Sequence, residues 1–231
     1  MMEFKPTKVL NSSVSIIYRM QLLLVRHGQK ENEFSQSGSY NGGLTPTGKE
    51  QARRLGLSLK NKGINKVYCS ELQRAKETLK VVLPNLGAVS VVYTKGINEI
   101  SRGVYSTRKE YTLALKESGL KEHKFRPPEG ESYFDVEERA AQFWSFLQKN
   151  HQSDTVLVVG HGIFLRFLML QIQGLHMREM AYLNLDNASL SSFFIEDGKI
   201  VSFRINDCTH LLQYAEAKQE VKAETKVEIV S

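Results

Sequence analysis

A continuous apolar run at residues 22–25 stops at Arg26-His27-Gly28, and a second run at 155–159 stops at Gly160-His161-Gly162. Apolar runs this short, with no polar alternation, read as strands covered on both faces, as in a parallel sheet. Helices must then cover the sheet, and the expected architecture is a three-layer α/β/α sandwich with a mainly parallel centre. In such sheets ligands bind beyond the carboxyl ends of the strands. Both histidines therefore reach toward one cleft, and the glycines beside them let backbone and ligand approach closely.

The rest of the chain fits this plan. Residues 66–69 and 90–93 are further strand candidates. Gly48, Ala52, Leu55 and Leu59 share one helical face, opened by Thr45-Pro46 as cap and first residue. Leu72, Ala75, Leu79 and Val82 form a second stripe, for which Ser70 and Gln73 suggest a capping box. Val136, Ala140, Phe143 and Leu147 form a third, with Ser132 as its expected cap. Between Gly96 and Gly130 the pattern is irregular, with a helix near 108–116 and a break at Pro127-Pro128-Glu129-Gly130. Insertions of this kind commonly wall a substrate site. Residues 190–195 and 199–205, joined by Glu196-Asp197-Gly198, read as a hairpin. The expected division is an extension at 1–19, a catalytic domain at 20–210 and a charged tail at 211–231. From Glu216 to Glu228 glutamate and lysine alternate, a pattern that favours a solvated segment over a packed helix.

Composition excludes several classes. With 41% hydrophobic and 24% charged residues, the chain has the balance of a soluble globular protein. The apolar run at 163–170 is far too short to span a bilayer and is broken by Arg166. The formal net charge of +6 favours anionic partners. No basic run interleaved with aromatics points to nucleic acid; small phosphorylated substrates suit the same charge. Cys69 and Cys208 have no metal-knuckle or redox spacing, and such low cysteine usage suits a reducing, cytoplasmic setting. The lysines, serines and short apolar stretch before residue 19 are read as an ordinary extension rather than a transit peptide. The assembly is left open between a monomer and a homodimer.

Arg26 adjoins His27, and Arg74 falls in the first turn of the second helix, off its apolar stripe. A helix N-terminus attracts anions, and arginine adds a planar fork suited to phosphate. Two arginines, two histidines and a helix start together make a phosphate site. His123, His151, His176 and His210 are expected to be surface or structural residues. A metal site on His27 and His161 would be under-coordinated, because no carboxylate-rich motif accompanies them; no metal or other cofactor is expected.

Leu24-Val25-Arg26-His27-Gly28, Leu44-Thr45-Pro46-Thr47-Gly48, the nine residues from Ser70 to Thr78, Gly130-Glu131-Ser132 and Gly160-His161-Gly162, in that order, resemble the signature of the histidine phosphatase superfamily, which includes phosphoglycerate mutases. The resemblance spans roughly residues 20–210. It implies a phosphoglycerate mutase-like fold and a phosphomonoesterase. His27 matches the histidine that accepts the phosphoryl group, and Arg26, Arg74 and His161 match the residues that hold it. Glu99 matches the proton donor, and Gln29 and Asn32 fall where the family contacts the rest of the substrate; Gly28 and Gly162 are counted with the substrate-binding residues. Glu131 is read as a site or helix-start residue, Arg102 as part of the anion pocket or a solvent-facing residue, and Arg139 as structural. Gly162-Ile163-Phe164 replaces the glycine-asparagine-serine usual in mutases and is closer to the phosphatase branch. Glu33 stands where asparagine is usual, and Val104-Tyr105-Ser106-Thr107 replaces an aromatic-glutamate-glycine pattern. The alternatives are a mutase and a catalytically silent phosphate-binding adaptor.

Overall fold

The computed structural model describes residues 18–31 and 42–212. Residues 1–17, most of the expected extension, lie outside the described residues. So do Asn32 and Glu33, together with the alternating charges of the tail. In chain order the elements are β1 (Arg19–Arg26), α1 (Pro46–Leu59), β2 (Lys66–Ser70), α2 (Gln73–Val82), β3 (Ser90–Thr94), α3 (Arg108–Ser118), α4 (Tyr133–Asn150), β4 (Thr155–Gly160), α5 (Gly162–Gln173), β5 (Leu190–Glu196) and β6 (Lys199–Asp207).

The six strands form one sheet in the order β3-β2-β4-β1-β5-β6. The pairs β1–β4, β2–β4 and β2–β3 are parallel, while β5 runs antiparallel to β1 and β6 to β5. The expected hairpin is therefore the antiparallel edge of an otherwise parallel sheet. Its turn, Asp197-Gly198, takes φ of 46° and 77°, the left-handed pair that a two-residue hairpin needs.

Alternation along the central strands sends side chains to two separate cores. Leu22, Leu24, Val156 and Val158 pack with Ala140, Leu147, Phe164 and Phe167 of α4 and α5. Leu23, Val25, Leu157 and Val159 pack with Leu55, Leu59, Ala75 and Leu79 of α1 and α2. Each layer is fixed by these contacts, since every fully buried large aliphatic or phenyl side chain stabilises the fold by about 1.5–3 kcal/mol over its exposed state. The three-layer sandwich expected from the apolar runs is the observed fold. No helix among the described residues is long and apolar enough to cross a membrane.

The helix starts decide where functional groups sit. Thr45 caps α1 by accepting from Gly48 N, with Pro46 as first residue. At α4 the Asp135 carboxylate accepts from Ser132 N at 2.8 Å and Ser132 Oγ at 2.7 Å. The expectation for α2 needs correction. Its N-cap is Leu72, with no side-chain cap hydrogen bond, and Gln73 donates to Glu77 instead. Ser70 is the last residue of β2, buried; its hydroxyl accepts from Leu72 N at 3.2 Å and otherwise meets side chains in the cleft (below). The strand runs one residue farther than its apolar pattern suggests, which takes Ser70 out of the cap.

The irregular insertion is folded back on itself. Val104 N donates to Pro128 O and Glu131 N to Ser101 O. Gly103 has φ of 60° and lies against the Pro128 carbonyl and Gly130 N, where a Cβ would have no room. This pins the segment that carries Glu99 to the start of α4.

Candidate active site

The carboxyl ends of three neighbouring strands, β2, β4 and β1, deliver Ser70, His161 and His27 side by side. Arg26 pairs in register with Gly160, and His27 N donates to Gly160 O at 3.0 Å. The two imidazoles consequently lie with ring centroids 5.1 Å apart, tilted by 55°. Arg74 enters between them from the first turn of α2. Its Nε lies 3.1 Å from His27 Nε2 and 3.1 Å from His161 Nδ1. The expected convergence of His27, His161 and Arg74 is present.

The hydrogen bonds fix the tautomers. His27 Nδ1 lies 2.7 Å from Gly28 O. A carbonyl only accepts, so Nδ1 carries the proton and Nε2 keeps a lone pair. His161 Nε2 lies 2.7 Å from Ser70 Oγ, and Ser70 Oγ donates to Asn98 Oδ1 at 2.7 Å. His161 therefore holds its proton on Nε2 and turns the Nδ1 lone pair to Arg74. Burial, followed by the Arg74 charge, pushes His27 down to about 3. The same two causes, in the same order, hold His161 well below its ordinary value. Both rings are neutral at physiological pH.

Arg26 is half-buried. One terminal nitrogen donates to Leu185 O, and Nε is buried without a hydrogen-bond partner among the described residues. Burial lowers its pKa, and the Glu99 charge works the other way. An unmatched buried donor of this kind costs about 1–3 kcal/mol, which an incoming anion would recover.

Glu99 sits across the N-terminus of α5. Its carboxylate accepts from Ile163 N at 3.1 Å and from Phe164 N at 3.2 Å. Gly162, the first residue of α5, lies between Arg26 and Glu99: a Cβ there would be 3.6 Å from Arg26 Nε and 3.8 Å from a Glu99 oxygen. A cavity of about 230 Å³ is bordered by Arg26, Glu99, Gly162, Arg166 and Leu185. His27 retains 4% exposure and His161 none.

Two of the predicted contact residues are engaged within the protein. Gln29 Oε1 accepts from Thr45 Oγ1 at 2.8 Å, and Gln29 N donates to Gln51. Gly28 N donates to Thr78 Oγ1 at 3.0 Å, and a Cβ at Gly28 would lie 2.5 Å from Gly48 O. Gly28 lets the segment after β1 press against the start of α1.

Several residues with site contacts were not singled out from the sequence. Ser70 and Asn98 form the relay behind His161. Thr78 donates to Arg74 O at 2.7 Å while accepting from Gly28 N, joining α2 to the segment after β1. Asn187 Nδ2 donates to His27 O. Arg166 interrupts an otherwise apolar run, a signal that does more than exclude a membrane span. Arg139, as expected, is structural: it pairs with Glu131 at 2.7 Å and donates to the Gly96 and Asn98 carbonyls. Glu131 also accepts from Ser101 N, so the pair braces the loop that presents Glu99. Arg102 stacks over Tyr111 at 5.4 Å. His151 is buried between Tyr68 and Asp154, and His210 lies against Ala188 O.

A mainly parallel α/β sandwich with a histidine pair, a buried arginine and a half-buried one at its carboxyl edge defines a class of phosphate-handling folds, and comparison with known proteins makes the class specific. The model of the histidine phosphatase superfamily (branch 1) matches residues 22–208. The chain is 30% identical over 192 residues to a 2,3-bisphosphoglycerate-dependent phosphoglycerate mutase of Parvibaculum lavamentivorans, covering 76% of this chain and 90% of that protein. It is 28% identical over 213 residues to phosphoserine phosphatase 1 of Hydrogenobacter thermophilus, covering 87% and 100%. Among solved structures, a putative alpha-ribazole-5'-P phosphatase from Escherichia coli aligns with a TM-score of 0.69 at 25% identity, over 81% of this chain and 96% of that one. A phosphoserine phosphatase from Entamoeba histolytica, in complex with phosphoserine, aligns with a TM-score of 0.66 at 25% identity, over 84% and 100%. The chain belongs to the histidine phosphatase superfamily.

The two depressed histidines make stability depend on pH in a stated direction. Below about pH 6.5 the unfolded chain binds protons that native His27 and His161 refuse, so native stability falls as pH drops. The slope is about 1.4 kcal/mol per pH unit for each histidine once its unfolded form is protonated. Urea midpoints measured from pH 7.5 to 4.5 should decline, and His27→Ala should remove about one proton from that dependence. Equal slopes in the two proteins would mean that His27 is not held neutral by the fold.

Proposed function

We propose that the protein hydrolyses small phosphomonoesters through a phosphohistidine on His27. The observation that carries this reading is the unprotonated Nε2 of His27, held by its Nδ1–H bond to Gly28 O and directed at Arg74. His161 Nδ1 meets the same guanidinium, so geometry offers two lone pairs. Accessibility favours His27, a residue that keeps 4% exposure against 0% for His161.

In the first step a phosphoryl oxygen takes over the Arg74 N–H that His27 Nε2 now accepts, freeing that lone pair. Nε2 attacks phosphorus, the bond from phosphorus to the ester oxygen breaks, and the leaving oxygen takes a proton that a monoanionic phosphoryl group brings in and the Glu99 carboxylate relays. In the second step water attacks the phosphohistidine, Glu99 takes the water proton and passes it to the departing phosphate, and inorganic phosphate leaves with His27 restored. Charge spreads over three equatorial oxygens during each transfer. Arg74 and the unpartnered Arg26 Nε supply fixed donors for them. His161, neutral and donating its Nε2–H to Ser70 Oγ, keeps Arg74 in place by accepting from its Nε. The relatives named a phosphoserine phosphatase and a phosphoglycerate mutase support phosphoryl transfer in general. Gly162-Ile163-Phe164 supports water as the final acceptor.

The test is a rapid acid-free quench during turnover of a labelled phosphomonoester, followed by peptide mapping. The expected product is an acid-labile, base-stable phosphate on the peptide containing His27. A label on another residue, or turnover without any covalent label under single-turnover conditions, would reject the mechanism. Absolute dependence on a bisphosphorylated primer would identify a mutase instead.

A further inference from the structure

One helical turn from Glu99's anchor on α5, a second and larger cavity of about 490 Å³ opens. Its walls are His123 ahead of α4, Tyr133 and Phe134 at the start of α4, Arg166 on α5, and Met177, Arg178 and Met180 beyond α5. Arg166 also borders the cavity beside Arg26 and Glu99, so the two spaces share a wall. Its Nε donates to Gly162 O at 3.1 Å, which ties that shared wall to the first residue of α5. Tyr133 lines the larger cavity together with Arg166.

The lining is unlike the phosphate site. It is mostly aromatic and thioether surface, with its polar groups on the two arginines and the His123 imidazole. Phe134, in the first turn of α4, is 52% exposed and contacted edge-on by His123. Tyr133 is braced by an edge contact to Phe167 at 5.8 Å, a rigid wall, while the methionines are adaptable ones. The volume falls within the range of about 300–1,000 Å³ typical of small-molecule sites.

We infer that this cavity receives the alcohol part of the substrate, and that the protein acts on phosphomonoesters of sizeable apolar or aryl-bearing alcohols in preference to small polar hydroxyacids. The inference rests on the hydrolase reading of His27, since the shared Arg166 wall is what sets an apolar group beside the scissile ester. A compact hydroxyacid phosphate leaves this apolar surface wet; an aryl-bearing alcohol removes it from water, and the gain is carried into the transition state.

The test compares 3-phenylpropyl phosphate with n-propyl phosphate. Both are primary alkyl esters with closely matched leaving groups, so any preference reports binding of the distal group. The phenylpropyl ester should be favoured in kcat/KM by about tenfold or more. In the double variant Phe134→Ser, Met177→Ser the ratio should collapse toward one, with propyl phosphate turnover within about twofold of wild type. Calorimetric binding of the two matching phosphonates reads the cavity without turnover. A preference for the phenylpropyl phosphonate that is lost in the double variant supports the cavity assignment even if neither ester is hydrolysed, an outcome that would reject the hydrolase reading alone. Equal binding of the two phosphonates to the wild-type protein, or a preference unchanged in the double variant, overturns the inference.

Discussion

His27→Ala should lower kcat/KM for any phosphomonoester by about 10,000-fold or more and abolish the covalent phosphate. The size of the effect follows from what the side chain supplies. In the proposed mechanism its Nε2 lone pair is the bond-forming electron pair, and an alanine methyl has none. Water could attack phosphorus directly, but it would need a base where the imidazole stood. The neighbouring lone pair on His161 is turned to Arg74 from a ring with no exposure. If that ring were the nucleophile, His27→Ala would leave a label on the peptide containing His161 and retain part of the activity, and the assignment would be reversed. The variant should fold, because removing a buried histidine held neutral relieves a group that costs stability below about pH 6.5. A phosphomonoester should still bind to Arg26 and Arg74, so equilibrium binding without turnover distinguishes loss of chemistry from loss of the site. The same measurement separates an enzyme from a silent adaptor: wild-type protein that binds and never turns over would be the adaptor.

How much of this was legible in the sequence differs by the kind of interaction. Strands β1 and β4 were readable because burial on both faces leaves an unbroken apolar run, and both histidines follow directly from where those runs end. Arg74 was readable from helical phase, since it falls off the stripe of Ala75 and Leu79. The role of Ser70 was not. A serine ahead of an apolar helical stripe fits a cap by local rules, and only the pairing of β2 with β4 brings its hydroxyl 2.7 Å from His161. That bond spans a long sequence separation, and no local pattern encodes it. Asn98, Asn187 and the Glu131–Arg139 brace were hidden for the same reason. The tautomers were also beyond reach, because they depend on which carbonyl or hydroxyl each ring nitrogen meets. Arg166 was visible only as an interruption of an apolar run; its place between two cavities is a tertiary fact.

Arg74→Met should lower kcat/KM by about 100- to 1,000-fold, the usual cost of removing one fixed donor to developing charge, and should also move the acid limb of the pH profile upward. The two effects have separate origins. The first is loss of the guanidinium that a phosphoryl oxygen would take over from His27. The second follows from the histidines. Burial is the larger cause of their depressed values, and the Arg74 charge comes next for both. Methionine keeps the rings buried but removes the charge, so their pKa values rise. Protonation then removes the His27 lone pair at a higher pH than in the wild type. Activity relative to pH 8 should therefore fall further at pH 5 in the variant than in the wild type. Because Arg74 is itself 2% exposed, a purely structural loss is the competing account, and it would lower activity by a similar factor at every pH. Imidazole titrations followed by NMR decide between them. An upward shift for both rings supports the electrostatic coupling, and an acid limb that stays in place would show that Arg74 does not set the protonation state of the nucleophile. Arg74→Lys sharpens the contrast: it restores a charge without the planar fork, so the acid limb should return toward its wild-type position while much of the rate loss remains.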